Sequence, residues 1–257
     1  MFYQIQQYFK YLKQSTNQHG VHSPFVYHLV TQCFYNKTKP KAYNAIKNYK
    51  AELLNNQNSL TITDLGSGSV YTTNKSRKIS SLAQHAGAST KHAKLLFRLT
   101  QYFQFKNSLE LGTSLGISSH AIGLGNPNGH LTTIEGCPEV SKFTAQNLQS
   151  KRLKNVSVLT GDFADVLPQL TNTSFDMVLF DGNHNKAATL KYFNLLLPKT
   201  HNDTVFIFDD IYWSKDMTEA WQAIKNHPKV TVTIDTFQYG FVFFRQEQTK
   251  EHFTIRL

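Results

Sequence analysis

Apolar residues in the first hundred positions recur at helical spacing. Phe2, Ile5, Phe9 and Leu12 fall on one face of an amphipathic helix over 2–14. Ser23-Pro24 reads as an N-cap followed by proline at the first helical position, opening a helix through Phe34. Residues 36–50 are polar and lysine-rich and read as a loop or an exposed helix. Leu95, Leu96, Leu99, Tyr102 and Phe103 give the segment 88–104 one apolar helical face.

From residue 107 the period changes. Short β-rich runs at 107–111, 130–135, 155–160, 175–181 and 204–209 alternate with helical stretches near 117–124, 138–150, 163–170, 187–197 and 215–227. Strict β-α alternation implies a parallel sheet with helices on both faces. Val230–Phe237 and Gly240–Arg245 have only Gln238-Tyr239 between them and read as a hairpin, so the sheet should end in an antiparallel strand. The expected division is a mainly helical N-terminal extension over 1–106 and an α/β domain over 107–257.

With 257 residues, 40% of them hydrophobic, the chain suits one such domain with its extension and can bury a sizeable core. No apolar run approaches the ~18 residues of a membrane span, and Met1–Ser15 lacks a signal-peptide pattern, so a cytoplasmic protein is expected. Cys33 and Cys137 are too few for a disulfide framework or a cysteine-based zinc site. The net charge of +10 is uneven. Residues 1–108 hold 14 Lys/Arg against Glu52 and Asp64, whereas 109–257 hold 13 against 15 acids. A basic extension favours anionic partners (nucleic acid, acidic lipid, a carboxylate or phosphate substrate) or is simply a solvated surface.

In open α/β sheets, ligands bind beyond the carboxyl ends of the strands. The first strand ends in Glu110-Leu-Gly-Thr-Ser-Leu-Gly116, where Gly112 permits a tight turn and a close backbone approach. Gly-x-x-x-Gly is neither the dinucleotide fingerprint nor a phosphate loop. The second strand ends in Glu135, an acid able to accept both hydroxyl protons of a ribose. Gly161-Asp162-Phe163 follows the third, where Asp162 could accept from an adenine amino group and Phe163 could pack on its ring. The fourth ends in Asp181-Gly-Asn-His184 and the fifth in Asp209-Asp210. Ile62-Thr-Asp64-Leu-Gly-Ser-Gly68 imitates a strand and glycine loop, but no acid-ending strand follows at ~20–25 residues. The stretch 62–80 therefore reads as a loop, either covering the site or forming an ordinary surface turn.

This ordered series over 107–246 resembles the class I S-adenosylmethionine-dependent methyltransferases, and among them the small O-methyltransferases of the catechol and caffeoyl-CoA type. The N-terminal part, including His19-Gly-Val-His-Ser-Pro-Phe25, resembles bacterial methyltransferases of that class; His19 and His22 read as structural. The resemblance implies a doubly wound Rossmann-like sheet of order 3-2-1-4-5-7-6 with its last strand antiparallel. It implies S-adenosylmethionine as cofactor. The loop Glu110, Gly112, Thr113, Ser114 and Gly116 would hold the methionine part, Glu135 the ribose, and Asp162 with Phe163 the adenine.

In the metal-dependent members, an Asp after the fourth strand and an acid pair after the fifth hold a divalent cation such as Mg²⁺. Asp181, Asp209 and Asp210 match that layout, with Asp181 also beside the cofactor. Where that family has a catalytic Lys, three residues after the first Asp, this chain has His184, which can serve as a base near neutral pH. The alternatives for these residues are an acid pair capping the next helix and a histidine at the surface. Tyr212 and Trp213 would line an acceptor pocket or pack as core aromatics. The expected activity is O-methylation of a small hydroxylated acceptor, neutral or acidic.

An RNA methyltransferase using the basic segment is the second reading, a metal-independent small-molecule enzyme a variant of the first, and a non-catalytic scaffold the third. Against common nucleic-acid versions, Asp181-Gly-Asn-His184 is not an Asn/Asp-Pro-Pro-aromatic motif, and Cys137-Pro138 is in the reverse order of a carbon-5 methylase nucleophile. The first helix would pack on its own domain or on a second subunit, as in a homodimer.

Overall fold

A computed structural model describes residues 2–63, 76–170 and 174–257. In chain order the first elements are α1 (Phe2–Gln14), α2 (Pro24–His28), α3 (Ala42–Asn55), β1 (Ser59–Thr61), β2 (Ser76–Lys78), α4 (Ile79–His85) and α5 (Thr90–Phe103). There follow β3 (Asn107–Leu111), α6 (Ile117–Gly125), β4 (His130–Glu135), α7 (Pro138–Ser150), β5 (Val156–Thr160) and α8 (Phe163–Val166). The last are β6 (Met177–Phe180), α9 (Lys186–Leu196), β7 (Val205–Asp209), α10 (Lys215–Asn226), β8 (Val232–Asp235), β9 (Tyr239–Phe243) and β10 (Glu251–Thr254).

The main sheet runs β10-β8-β9-β7-β6-β3-β4-β5. Counted from β3, this is the expected doubly wound order 3-2-1-4-5-7-6, with β9 antiparallel to both β7 and β8. One strand was not foreseen. β10 adds at the edge, parallel to β8, so the hairpin is not the end of the sheet. By compactness the chain forms two units, Asn36–Gln169 and Met1–Tyr35 with Leu170–Leu257. Neither coincides with the 1–106 segment.

In the Asn36–Gln169 unit, β3, β4 and β5 pair in parallel. The lysine-rich stretch expected as a loop or exposed helix becomes α3, and it is not exposed. Tyr43, Ile46, Tyr49 and Leu53 recur at helical spacing and are buried against Ile79, Leu82 and Ala83 of α4 and Ala93 and Phe97 of α5. Of the lysines between them, Lys47 is exposed and Lys50 is half-buried, its ammonium donating to the Ala88 carbonyl at 2.7 Å. The loop expected over 62–80 is also corrected at its end: Ser76–Lys78 pairs antiparallel with Ser59–Thr61, and α4 starts at Ile79. Residues 64–75, with the glycines of the imitation loop, lie outside the described residues.

The other unit gathers the N-terminal helices onto the C-terminal strands. Ser23 caps α2 as expected, its Oγ accepting from the Val26 N–H, and the helix continues to Phe34 with a wider turn in which the Tyr35 N–H donates to the Val30 carbonyl. Phe25 packs edge-on against Phe243, and Phe34 against Phe241. On α1, the Tyr11 hydroxyl donates to the Ile255 carbonyl at 2.7 Å and Tyr8 packs on Phe237. The stripe read from the sequence is thus not the side that this unit buries: Phe2, Ile5 and Phe9 remain exposed. At Gly240, a Cβ would sit 2.7 Å from the Trp221 ring, so the indole of α10 lies flat on β9 only because that residue is glycine. Among the described residues, no helix is long and apolar enough to cross a membrane.

Candidate active site

The Asn36–Gln169 unit carries the first group of sequence-selected residues. β3 delivers Glu110 into the interior, where it has no solvent exposure. Its Oε2 accepts from the Ser119 hydroxyl of α6 and from the Thr133 hydroxyl of β4 at 2.7 Å. Its Oε1 is buried and, among the described residues, forms no hydrogen bond, with the Ser118 hydroxyl near enough to lower the carboxyl's pKa in part. Burial is the main reason its carboxyl is raised to about 7; the hydroxyl donors pull it back only in part, and the Glu135 charge raises it further.

The loop after β3 turns through three left-handed residues, Gly112 (φ 104°), Ser114 (φ 48°) and Gly116 (φ 73°). The N–H groups of Gly112 and Thr113 both donate to the Ile134 carbonyl, and Thr113 Oγ1 meets Thr133 Oγ1 at 2.7 Å. Gly116 caps α6 in a space without room for a side chain: a Cβ would lie 2.7 Å from Thr144 Cγ2. The loop carbonyls are tied from outside, Leu115 by the Tyr49 hydroxyl and Ser114 by Thr144 Oγ1. Glu135 closes the arrangement. One carboxylate oxygen accepts from the Ser114 N–H at 2.8 Å and the other from the Cys137 N–H at 2.9 Å. Asp162 follows β5 as the N-cap of α8, its Oδ1 accepting from the Ala164 N–H at 2.7 Å, and Phe163 behind it is buried.

The second group lies in the other unit. Asp181 follows β6, and His184 Nε2 stands 3.9 Å from its Oδ1, an electrostatic contact beyond hydrogen-bond range. Both are partly buried. Asn185, not His184, opens α9 as its N-cap. Asp209 ends β7 and Asp210 is held at φ 54°. Burial and the neighbouring Asp210 charge push the Asp209 carboxyl up, and His184 relieves it in part. The pair does not cap α10; Ser214 does. Gln238, from the turn before β9, donates one amide nitrogen to Asp209 Oδ1 at 2.8 Å and to Asp210 Oδ1 at 2.6 Å. Tyr212 stacks on Phe237 and hydrogen-bonds Asp235, so it packs rather than projects, while Trp213 is exposed.

Asp181, Asp209 and Asp210 are neighbours, with Asp181 in hydrogen-bond reach of Asp209 and the Asp210 charge beside it. Among the described residues, no three His, Cys, Asp or Glu side chains are grouped to hold a metal ion. The Gln238 amide satisfies one oxygen of each of Asp209 and Asp210. Gln238, Ser119 and Thr133 escaped sequence reading because each acts only across tertiary contacts; the short hairpin around Gln238 was the one available signal.

Residues 109–211 match the family model of a methyltransferase domain. Among particular proteins, the chain is similar to the catechol O-methyltransferase of Niastella koreensis, at 33% identity over 128 residues, 48% of this chain and 57% of that protein. The chain thus spans a little over half the length of this relative. Its fold is that of a SAH-bound methyltransferase from Podospora anserina (TM-score 0.61, 12% identity, 88% of this chain and 97% of that one). The O-methyltransferase TomG of Streptomyces achromogenes, solved with SAM, shares it as well (TM-score 0.57, 20% identity, 84% and 95%).

Proposed function

We propose that this chain is an S-adenosylmethionine-dependent methyltransferase acting on a hydroxyl of a small molecule. The observation that carries the reading is the orphaned, fully buried Oε1 of Glu110 beneath a loop of three left-handed residues. A buried carboxylate oxygen without a donor costs free energy that a cationic ligand group recovers. The amino-acid ammonium of S-adenosylmethionine is such a group, and the Gly112–Gly116 turn lets its backbone approach closely. Glu135, oriented by the Ser114 and Cys137 N–H groups, is the acid assigned to the ribose hydroxyls, and Asp162 with Phe163 offers an acceptor and an apolar surface for adenine. The methyltransferase-domain match over 109–211 and the O-methyltransferase relatives support the same reading.

When bound, the cofactor supplies a methyl group on a sulfonium, a good leaving group. The protein's task is to align an oxygen nucleophile in line and to take its proton. His184, 3.9 Å from Asp181, is the assigned base. Asp181 also stands in the reading as a cofactor contact. No step is assigned to a cation; Asp209 and Asp210 hold the Gln238 amide and with it the turn before β9.

The test is calorimetric titration of S-adenosylhomocysteine into the wild-type protein and Glu135→Ala, followed by an acceptor screen with labelled S-adenosylmethionine. Hydroxylated aromatic acceptors, neutral and acidic, belong first in the screen. Methyl transfer that His184→Gln lowers by roughly 10²-fold or more, with cofactor affinity unchanged, supports the base assignment.

A further inference from the structure

The positive charge of the chain is not shared evenly by its two compact units. Asn36–Gln169 holds 16 Lys/Arg against 7 Asp/Glu, and the other unit 11 against 10. Nearly the whole net charge of +10 therefore sits on the unit that carries the Gly112–Gly116 loop. Three of its seven acids, Glu110, Glu135 and Asp162, belong to the candidate site, which leaves the helical flank more basic still.

On that flank α3 and α5 pack antiparallel. Tyr43, at the start of α3, meets Phe97, while Lys50 further along it donates to the Ala88 carbonyl just before α5. Tyr43 is the floor of a cluster of cations. The Lys94 ammonium lies 5.0 Å from the centre of its ring, and Arg98 donates to its hydroxyl at 3.1 Å. Lys47 is one turn along α3 and Lys39 precedes the helix, and both are exposed. Burial, then the charges of Lys47, Arg98 and Lys39, lower the Lys94 ammonium from its ordinary value, and no carboxylate is among these influences. α5 contains no acid, and the one acid of α3, Glu52, is ion-paired with Lys151.

Lys41 occupies the N-cap of α3 and Lys91 the first turn of α5, positions where the helix dipole favours an acid. Cations placed against the local field and beside one another repel, and a chain of phosphates relieves that repulsion. The patch also lacks what other anionic partners use. Among the described residues of this unit, Leu54 is the one exposed large apolar side chain. A helix that docks on a bilayer inserts apolar residues beside its lysines. A single strand is held by stacking on aromatic rings, and Tyr43 and Phe97 are buried. Charge without either device fits the backbone of a double helix, which is contacted through its phosphates.

We propose that the lysine cluster on α3 and α5 docks the phosphate backbone of a nucleic-acid duplex, independently of base sequence. Lys39, Lys47 and Lys94 are the assigned contacts, with Lys37 and Lys41 beside them in the exposed chain leading into α3. Tyr49, whose hydroxyl holds the Leu115 carbonyl, follows Tyr43 on α3 by about 9 Å of helix. The cluster and the candidate cofactor site are therefore distinct surfaces of one unit.

The experiment is fluorescence anisotropy on the whole chain with a labelled DNA duplex of about 20 base pairs, across about 50 to 200 mM salt. The same single strand and phosphatidylserine vesicles are the other probes. The cluster variant is Lys39→Gln with Lys47→Gln and Lys94→Gln. The control, Lys191→Gln with Lys215→Gln and Lys229→Gln, removes the same charge from the other unit. Each phosphate contact contributes about −0.9 to the slope of log affinity against log salt. The wild type and the control should give a slope of about −3 or steeper, and the cluster variant one shallower by about 2.7. Its affinity near 50 mM salt should fall roughly tenfold or more. Lys47→Gln alone, at an exposed position, should take about 0.9 from the slope. S-adenosylhomocysteine affinity, measured in parallel, separates this surface from the cofactor reading, since the cluster variant should leave it unchanged. Absence of duplex binding by the wild type at low salt, or equal losses in the cluster variant and the control, overturns the proposal. Tighter binding of the single strand or of the vesicles, lost in the cluster variant, overturns the duplex assignment.

Discussion

Replacing Glu110 by Gln separates the cost of the buried carboxyl from its use. In the ligand-free protein the group is raised from 4.5 to about 7. At 1.36 kcal/mol per pH unit, keeping it ionised above neutrality costs the fold about 3 kcal/mol. The sign follows from proton uptake. The native state holds the extra proton between the two values, so this stability is fully present below about pH 4.5 and is lost as pH rises through 7. A ligand ammonium needs the ionised form. S-adenosylhomocysteine affinity should therefore reach a plateau above about pH 7 and fall about tenfold by pH 6. In Glu110→Gln the amide oxygen can still accept from Ser119 and Thr133, but its NH₂ replaces Oε1 and would face the ammonium. Affinity near pH 8 should drop by about 3 kcal/mol, roughly 100-fold, and lose its pH dependence. The ligand-free variant near pH 8 should be about 1 kcal/mol more stable than wild type, the removed penalty being offset by one unsatisfied buried donor. Calorimetry across pH and urea denaturation measure both quantities. A wild-type affinity flat from about pH 6 to 8, or a variant that binds equally well, refutes the assignment of Oε1 to the ammonium.

His120, buried and stacked on Tyr49 at 4.4 Å, is held by burial at about 4, below its ordinary 6.5. The unfolded chain then binds the extra proton, so stability should fall by about 3 kcal/mol as pH drops from about 6.5 to 4. Glu110 acts oppositely over an overlapping range, so the effect should be read by urea denaturation in the Glu110→Gln background, where His120→Asn should flatten it. Gly116→Ala forces a Cβ to 2.7 Å from Thr144 Cγ2 at a left-handed φ and should cost about 1–3 kcal/mol in stability, with weakened S-adenosylhomocysteine binding by calorimetry. EDTA should leave methyl transfer and wild-type melting unchanged. Gln238→Ala uncovers two adjoining carboxylates, so Mg²⁺ should raise the melting temperature of that variant while leaving wild type unmoved.

The strand order and the acids at strand ends were readable because each strand carries its own period and ends on its own polar residue. Local signals sufficed for Glu110, Glu135 and the Gly112–Gly116 turn, whose positive φ angles demand glycine at two of three positions. Electrostatic state was not readable. Nothing around Glu110 in the sequence says that Ser119 and Thr133 will take one oxygen and leave the other bare. Strand-end position likewise places Asp209 and Asp210 but is silent on Gln238, whose amide arrives from a hairpin 28 residues beyond Asp210. The buried face of α3 was hidden by the lysines between Tyr43, Ile46, Tyr49 and Leu53, since charged residues off the apolar stripe of a helix do not oppose its burial. Strand β10 had no partner in the sequence pattern, because its pairing with β8 is set by distance in space.

The central claim is most directly tested by titrating S-adenosylhomocysteine into the wild-type protein, Glu135→Gln and Glu135→Ala. The account predicts saturable single-site binding by the wild type, weakened in Glu135→Gln, which keeps one acceptor for the Ser114 and Cys137 N–H groups, and abolished in Glu135→Ala. Absence of binding by the folded wild-type protein, or equal affinity in all three, would contradict it.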